Sequence, residues 1–203
     1  MPLLVQPALA RGSLASAPQP TLEVPDRRLV LRPWRSSDAE AVREAYQDPA
    51  IQRWHVRRGD SVAEVREWID AWRATWAEES AGHWAIAAPD AEGGTVRGRM
   101  ALKRLDLYDG VAEVAYWVSP AARGTGTCRA ALEALTRWAF GTAGFHRLDL
   151  EHSTANPASC RVAVASGYVL EGTRRAAALH ADGRHDMHLH ARLAEHTRIT
   201  EEA

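Results

Sequence analysis

Short runs of alternating apolar and polar residues predict the strands of this chain. Residues 28–32 (Arg-Leu-Val-Leu-Arg) alternate as in a half-buried strand, and Pro33, which has no N–H to donate, ends the run. Asp109-Gly110 is typical of a hairpin turn between two further runs. The remaining predicted strands cover residues 83–88, 95–105, 111–118, 146–151, 169–175 and 185–193.

Helical periodicity appears between these strands. Val65, Trp68, Ile69 and Trp72 recur at i, i+3, i+4 and i+7, which predicts an amphipathic helix between residues 60 and 82. Residues typical of helix ends bound three more predicted helices, at 38–47, 125–140 and 157–167. Gly141 is expected at the C-terminal cap of the 125–140 helix.

The resulting order of elements is β-α-α-β-β-β-α-β-α-β-β. It predicts an α/β fold with an antiparallel first half and a strand–helix–strand second half. No internal repeat or second domain is evident in the 203 residues. We therefore expect a flexible extension over residues 1–24, one domain over 25–195 and a polar tail over 196–203.

Composition and charge argue against several functional classes. The formal net charge is −1 with neutral histidines, which gives no electrostatic footprint for nucleic acid. No run approaches the roughly 18 apolar residues of a membrane span, and residues 1–20 lack the basic start of a signal peptide. Two cysteines, Cys128 and Cys160, do not make a disulfide scaffold, so a reducing cytoplasm fits.

The segment with the clearest chemical meaning lies between a predicted strand and a predicted helix. It reads Ser119-Pro-Ala-Ala-Arg-Gly-Thr-Gly-Thr-Cys128. Gly124 and Gly126 allow the backbone to approach a ligand closely, and the N–H groups of the first helical turn can bind a pyrophosphate. Arg123 adds a positive charge beside them. A glycine-containing turn without a ligand is the alternative.

Two other phosphate-binding loops fit this segment less well. A Walker loop ends in Gly-Lys-Ser/Thr, which this sequence lacks. A dinucleotide loop requires a third small residue where Arg129 stands, and an acid about twenty residues on, for which Glu151 is the candidate. That alternative leaves Arg123 without a role, but it keeps a nucleotide-binding dehydrogenase open as a hypothesis.

Four blocks in order resemble the GNAT superfamily of N-acetyltransferases, and within it the RimJ/RimL-like, ribosomal-protein branch. The resemblance runs from about residue 29 to residue 193 and implies a mixed, mostly antiparallel central sheet of about six to seven strands with helices on both faces. Cys128 stands where the family has a small Gly or Ala. The blocks are Ala112-Glu-Val-Ala-Tyr-Trp117, Arg123-Gly-Thr-Gly-Thr-Cys128, Asn156-Pro-Ala-Ser159 with Gly167-Tyr168 and Glu171-Gly172, and Asp182 to Leu193.

The resemblance implies direct transfer of an acetyl group from acetyl-CoA to a primary amine, without a metal. Coenzyme A would contact the end of a splayed strand, the glycine loop and the helix near residue 156. A bacterial, cytoplasmic location and a homodimer are expectations of the family alone. The implied cofactor-binding residues are Trp117, Val118, Arg123, Gly124, Thr125, Gly126, Thr127, Cys128, Asn156 and Ser159.

The catalytic groups are less well defined. Many members use a Tyr four residues before the Gly-aromatic pair, where this chain has Ala163. The resemblance then implies that Ser159, one turn earlier, serves the leaving thiolate. The branch's acid seven residues after Glu171 is replaced by Ala178. Glu113, on the cofactor strand, is the remaining candidate base, with a structural carboxylate as the equal alternative.

Several functional hypotheses remain open at this stage. The acceptor could be a protein N-terminus or a small-molecule amine, and an acyl-CoA-binding module without turnover is the alternative to an enzyme. Four histidines crowd the last predicted hairpin, but no Cys or His–acid spacing supports a metal, so we expect none. One of them could instead line the acceptor pocket. They are His180, His185, His188 and His190.

Overall fold

Eight strands form one sheet in the computed structural model, which describes residues 4–25, 27–89 and 94–194. Their order across the sheet is β1-β2-β3-β4-β5-β6-β8-β7. β5 and β6 pair in parallel, and the other neighbouring strands are antiparallel. The strands are β1 (Leu22–Val24), β2 (Leu29–Pro33), β3 (Gly82–Ala87), β4 (Val96–Asp106), β5 (Val111–Val118), β6 (Arg147–Ser153), β7 (Val169–His180) and β8 (Gly183–Leu193).

The mixed α/β sheet confirms the predicted fold class, but the strand count of about six to seven was too low. The additional strand is β1, which pairs with β2 from Leu22 opposite Leu31 to Val24 opposite Leu29. A strand of three residues is too short to show alternation in the sequence, and its pairing with β2 defines it. The predicted tail, residues 196–203, lies outside the described residues.

Among the described residues, five α-helices cover the two faces of the sheet. Ser61 caps α3, where its hydroxyl accepts from the Glu64 N–H at 3.1 Å, and Asn156 caps α5. Gly141 is not the C-terminal cap of α4, because a π-helical turn (Ala139–Ala143) extends the helix to Gly144, whose φ is 89°. The helices are α1 (Ala39–Gln47), α2 (Pro49–Gln52), α3 (Val62–Ala77), α4 (Thr127–Trp138) and α5 (Pro157–Ala165).

Two hydrophobic cores lie on opposite faces of the sheet. The larger packs α4 against the strands through fully buried leucines such as Leu132, Leu135 and Leu148. The smaller packs α1 and α3 through a group that includes Trp34 and Ile69. The sheet thus lies between two packed layers of side chains. No helix of the described ranges has the length and apolar content that crossing a bilayer requires.

The segment before β1 packs against the domain, although residues 1–24 were expected to be a flexible extension. Leu9 and Leu14 are buried in the larger core. The Glu79 carboxylate accepts hydrogen bonds from the backbone N–H groups of Gly12 at 2.6 Å and Leu14 at 2.8 Å. The sequence pattern changes near residue 25, but the domain does not begin there, because Leu9 and Leu14 belong to its packed core.

Candidate active site

The glycine loop after β5 has the backbone geometry that an anion site requires. Gly124 and Gly126 have φ values of 72° and 78°, in the region that favours glycine. Gly126 is the N-terminal cap residue of α4, so the first N–H groups of that helix follow directly. The Thr125 and Thr127 hydroxyls lie 2.8 Å apart and tie the loop to the helix start.

Two guanidinium groups flank this loop. Arg123 is 40% exposed and its Nη2 lies 2.5 Å from Oδ2 of Asp48, just before α2. Arg27 donates from Nη1 to the backbone oxygen of Thr125 at 2.6 Å. A Cβ atom added at Gly126 would lie 2.8 Å from Arg27 Nη2, so the guanidinium rests on the loop itself. Sequence reasoning missed Arg27, because it precedes β2 and reaches the loop only in the folded chain.

Cys128 is a packing residue in this structure. Its side chain is buried in the first turn of α4, and burial raises the pKa of its thiol to about 12. The thiol therefore stays protonated at neutral pH and fills the small-residue position at the base of the loop.

β5 and β6 separate beside the loop. Their parallel pairing covers Val111 to Val114, opposite Arg147 to Leu150, although β5 continues to Val118. The Ser119 N–H donates to the backbone oxygen of Arg97, on the β4 side. Because the backbone groups of successive strand residues point to opposite edges, those of Val118 and Tyr116 point away from β4 and toward the gap. The gap thus exposes peptide groups next to an anion-binding loop, which is the geometry expected for a pantetheine arm with its pyrophosphate.

Ser159 lies on the α4 and α5 side of this gap. The Tyr116 hydroxyl on β5 lies 2.8 Å from Ser159 Oγ and donates to the Ser159 backbone oxygen at 3.1 Å. Asn156 Oδ1 accepts from the Ser159 N–H at 3.1 Å and so caps the start of α5. The serine hydroxyl is therefore held beside a strand edge by a tyrosine that sequence reasoning had not singled out.

Glu113 lies on the opposite face, near the start of β5. Its two carboxylate oxygens bind Lys103 Nζ at 2.8 Å and Arg104 Nη1 at 2.7 Å. The side chain is 13% exposed. Because both oxygens already bind cations, the carboxylate would have to release a partner before it could take a proton from an amine.

A hydrogen-bonded chain of Ser153, His185 and Asp182 lies on the same face as Glu113. His185 Nε2 donates to Asp182 Oδ1 at 2.8 Å, which leaves Nδ1 to accept from the Ser153 hydroxyl at 2.7 Å. If the register of β5 and β6 continued, Ser153 would stand opposite Trp117 across the gap. The chain thus presents an imidazole, oriented by a carboxylate, at the edge of the gap.

Two other histidines near this face, His83 and His55, are uncharged at neutral pH. Burial, together with the neighbouring Arg99 cation, lowers the pKa of His83 to about 2 and that of His55 to about 4. Arg99 Nη2 donates to His83 Nδ1 at 2.8 Å. Neither ring has the pKa near 7 that suits a general base at neutral pH.

The predicted cofactor and catalytic residues thus fall into three places around one gap. The glycine loop and Trp117–Val118 lie at its end, and Ser159 and Asn156 border one face. Glu113 lies on the other face, in the part of β5 that is still paired with β6. A sheet that splits beside a glycine-rich helix N-terminus is the arrangement of acyl-CoA-dependent transferases, and it places this protein in that class.

Comparison with known proteins assigns the family. Residues 28–169 match the model of the acetyltransferase (GNAT) domain, and the chain belongs to this family. The ribosomal-protein-serine acetyltransferase of Escherichia coli (strain K12) is 29% identical over 98 residues, which make up 48% of this chain and 55% of that protein. The match therefore spans about half the length of this curated relative.

Solved structures of low identity share the fold. An acetyltransferase from Salmonella typhimurium that modifies the N-terminal serine of a 50S ribosomal subunit protein is 21% identical, with a TM-score of 0.76 over 87% of this chain and 100% of that chain. The microcin self-immunity acetyltransferase MccE, solved with acetyl-CoA and AMP, is 16% identical, with a TM-score of 0.77 over 84% of this chain and 94% of that chain.

Proposed function

We propose that this chain transfers an acetyl group from acetyl-CoA to a primary amine by direct attack. The observation that carries the proposal is the gap between β5 and β6, which turns the backbone of Tyr116 and Val118 toward a glycine loop with two flanking arginines. The relatives support the donor: MccE was solved with acetyl-CoA, and the E. coli relative is named an acetyltransferase.

The cofactor would bind along the gap with its pyrophosphate on the loop. The N–H groups after Gly126 and the guanidinium groups of Arg27 and Arg123 would neutralise the two phosphates. Arg123 would exchange its present partner, Asp48, for the pyrophosphate. The pantetheine arm would pair with the free edge of β5, and the Val118 N–H would stabilise charge on the thioester oxygen.

Ser159 is our candidate for the proton that the leaving thiolate takes up. When the amine nitrogen attacks the thioester carbon, the C–S bond breaks and the sulfur gains an electron pair. Ser159 Oγ borders the gap and can donate its proton to the sulfur once the Tyr116 hydroxyl, 2.8 Å away, turns from the Ser159 backbone oxygen to donate to Oγ. Solvent would then replace the proton that the sulfur took. The same residue was implied by the resemblance, and its hydrogen bond to Tyr116 supports the role.

The amine proton would leave on the opposite face of the gap. His185 is the better placed base. Its Nδ1 is hydrogen-bonded to Ser153, which lies at the gap, and Asp182 binds the other ring nitrogen and fixes the tautomer. Glu113, the base suggested by the sequence, stays a candidate whose oxygens are engaged by Lys103 and Arg104. Asp182 and His185 would thus replace the acid that the branch carries where this chain has Ala178.

The acceptor class is a primary amine, and the ribosomal relatives favour a protein N-terminus over a small molecule. An α-amine has a pKa near 8, against about 10.4 for a lysine, so it needs less help to lose its proton. The free thiols Cys128 and Cys160 fit action in a reducing cytoplasm.

Thiol release from acetyl-CoA tests the proposal. The chain should release coenzyme A with at least one member of a panel of amines, including peptides with N-terminal Ser or Ala, a polyamine and an aminoacyl nucleotide. Arg27→Ala and Arg123→Ala should each raise the KM for acetyl-CoA about 3- to 10-fold, since each removes a phosphate contact worth about 1 kcal/mol.

Arg129→Ala is the matched control, because Arg129 lies in the first turn of α4 but pairs with Glu133 at 2.7 Å. It should leave this KM within about twofold, as expected for a surface pair. Coenzyme A binding in calorimetry without release on any acceptor would support a binding module instead. An absence of coenzyme A binding, with binding of NAD, would overturn the transferase in favour of the dehydrogenase hypothesis.

A further inference from the structure

Four side chains with metal-ligating atoms converge beneath α5. His152 comes from β6, Cys160 from α5, and His188 and His190 from β8. One ligand atom from each of them lies within 4.8 Å of every other. Because the four come from three elements, their spacing in the sequence forms no motif, and a metal was not expected.

The hydrogen bonds of two of these rings fix their tautomers. His152 Nδ1 lies 2.8 Å from the Ser153 backbone oxygen, and His190 Nδ1 lies 3.3 Å from the Tyr168 backbone oxygen. A carbonyl oxygen can only accept, so each Nδ1 carries the hydrogen. In the neutral rings both Nε2 atoms then carry lone pairs, and these two atoms face each other at 3.2 Å.

Two lone pairs at this distance repel unless a proton or a metal cation lies between or beside them. Both rings are buried, at 5% and 0% exposure, so water cannot screen the repulsion. A backbone carbonyl behind each imidazole is also the usual support of a histidine metal ligand, because it orients the ring and raises its basicity. The pair is therefore arranged as two ligands of one ion.

His188 and Cys160 complete the set from the more exposed side. His188 stands directly opposite His152 in the β6–β8 register, with the ring centroids 5.3 Å apart. Its Nδ1 is buried and has no hydrogen-bond partner among the described residues. Cys160 and His188 are both half-buried, which leaves a path by which an ion can enter.

We propose that His152, Cys160, His188 and His190 bind one Zn²⁺ ion in tetrahedral coordination. Zn–N bonds of about 2.0–2.1 Å place two nitrogens roughly 3.4 Å apart, close to the His152–His190 separation. The longest separation in the cluster must close by about 1 Å, which side-chain rotation can supply. Three imidazoles and one thiolate suit Zn²⁺ and its analogue Co²⁺ better than Mg²⁺ or Ca²⁺, which prefer oxygen ligands.

The ion would join α5 to β6 and β8 independently of acetyl transfer. Cys160 directly follows Ser159, so the ion would also anchor the helical turn that holds the serine hydroxyl near Tyr116. Metal binding alone tests the site, and the outcome of the acetyl-transfer assay does not decide it.

Co²⁺ titration of the untagged full-length chain is the decisive experiment. One equivalent should give the intense visible bands of tetrahedral Co²⁺ and a thiolate-to-cobalt charge-transfer band in the near ultraviolet, and Zn²⁺ should displace both. Cys160→Ser should abolish the charge-transfer band and weaken binding at least about 10-fold, a loss typical of a damaged metal site. His188→Gln, at a half-buried position, should weaken binding similarly.

Two matched variants control for general effects on the fold. Cys128→Ser alters the other thiol, in α4, and His185→Gln alters a histidine of β8 that faces the opposite side of the sheet. Both should keep the band and the one-to-one stoichiometry. The proposal is overturned if the wild-type chain shows no saturable binding, if the band survives Cys160→Ser in a chain with native circular dichroism, or if Cys128→Ser removes it.

Discussion

At the scale of single residues, the candidate active site depends on a hydroxyl pair that two separate elements bring together. Ser159 on α5 and Tyr116 on β5 lie 43 positions apart in the chain, and their hydroxyl oxygens are 2.8 Å apart. Burial, with the Cys128 thiol nearby, raises the pKa of Tyr116 above its usual value. The phenol therefore stays protonated at neutral pH and keeps a hydrogen that it can donate to the serine hydroxyl as a hydrogen bond.

Ser159→Ala should lower kcat about 10²-fold, because general acid–base groups contribute about 10² to 10⁴ in rate. Coenzyme A affinity in calorimetry should change less than about threefold, since the pyrophosphate and the strand edge supply most of the binding. Tyr116→Phe should cause a smaller loss of kcat than Ser159→Ala. Wild-type turnover by the Ser159→Ala variant would remove the serine from the mechanism.

At the scale of elements, the segment before β1 shows how one carboxylate can fix a stretch of chain with little pattern of its own. Glu79, just after α3, accepts from the backbone N–H groups of Gly12, Leu14 and Ala15. Burial alone would raise the pKa of Glu79, but these three hydrogen bonds and the Arg11 cation hold it below its ordinary value. The ionised carboxylate thus closes a turn that brings Leu14 into the core.

Glu79→Ala should loosen the segment by about 1–3 kcal/mol, the cost of leaving the buried Leu14 N–H without an acceptor. The measurement is amide exchange at Gly12, Leu14 and Ala15, read as protection factors. Glu78→Ala, which changes the exposed neighbouring carboxylate, should leave them unaltered. Equal loss of protection in the two variants would show that Glu79 has no specific role.

The same contact should depend on pH with a defined sign. The pKa of Glu79 is depressed in the folded state, so its contribution is fully present above the unfolded value of about 4.3. The contribution of Glu79 to stability is lost as the pH falls through its lower pKa in the folded state. Amide protection at Gly12, Leu14 and Ala15 should fall in the same pH range.

At the scale of the whole molecule, the functional geometry comes from a sheet that stays paired at one end of β5 and opens at the other. Val111 to Val114 pair with β6, while β6 itself stays paired with β8 as far as Ser153. The larger core, with α4 and α5, closes one face of the gap, and the side with α1 and α3 borders the other. A donor and an acceptor can thus approach one point from opposite sides.

Coenzyme A should therefore slow amide exchange at Tyr116 and Val118, whose backbone points into the gap. Ala112 and Val114 serve as the internal control, because they already lie in the paired part of β5 and should change little. The comparison is made on the same chain with and without saturating coenzyme A. Protection of all four amides alike would indicate general stiffening, and no protection at Tyr116 and Val118 would contradict pantetheine binding along this edge.

The sequence by itself determined the features that depend on near neighbours in the chain. Alternation and residues typical of helix ends located most strands and helices. α3 and α5 begin close to where the sequence predicted, because a cap acts within three residues. The order of Gly124 and Gly126 after a strand predicted the loop, because glycine conformation is a local property. Strand β1 and the π-helical turn after α4 were not predicted, since both are defined by hydrogen bonds rather than by residue type.

The tertiary structure alone decided what depends on contacts between distant residues. It brought Arg27 onto the glycine loop, Tyr116 onto Ser159, and Asp182 and His185 to Ser153. It also gathered the ligating atoms of Cys160 and three histidines from three elements into one cluster. Pairing of strands and packing of helices set these distances, and neither is encoded in the spacing of residues along the chain.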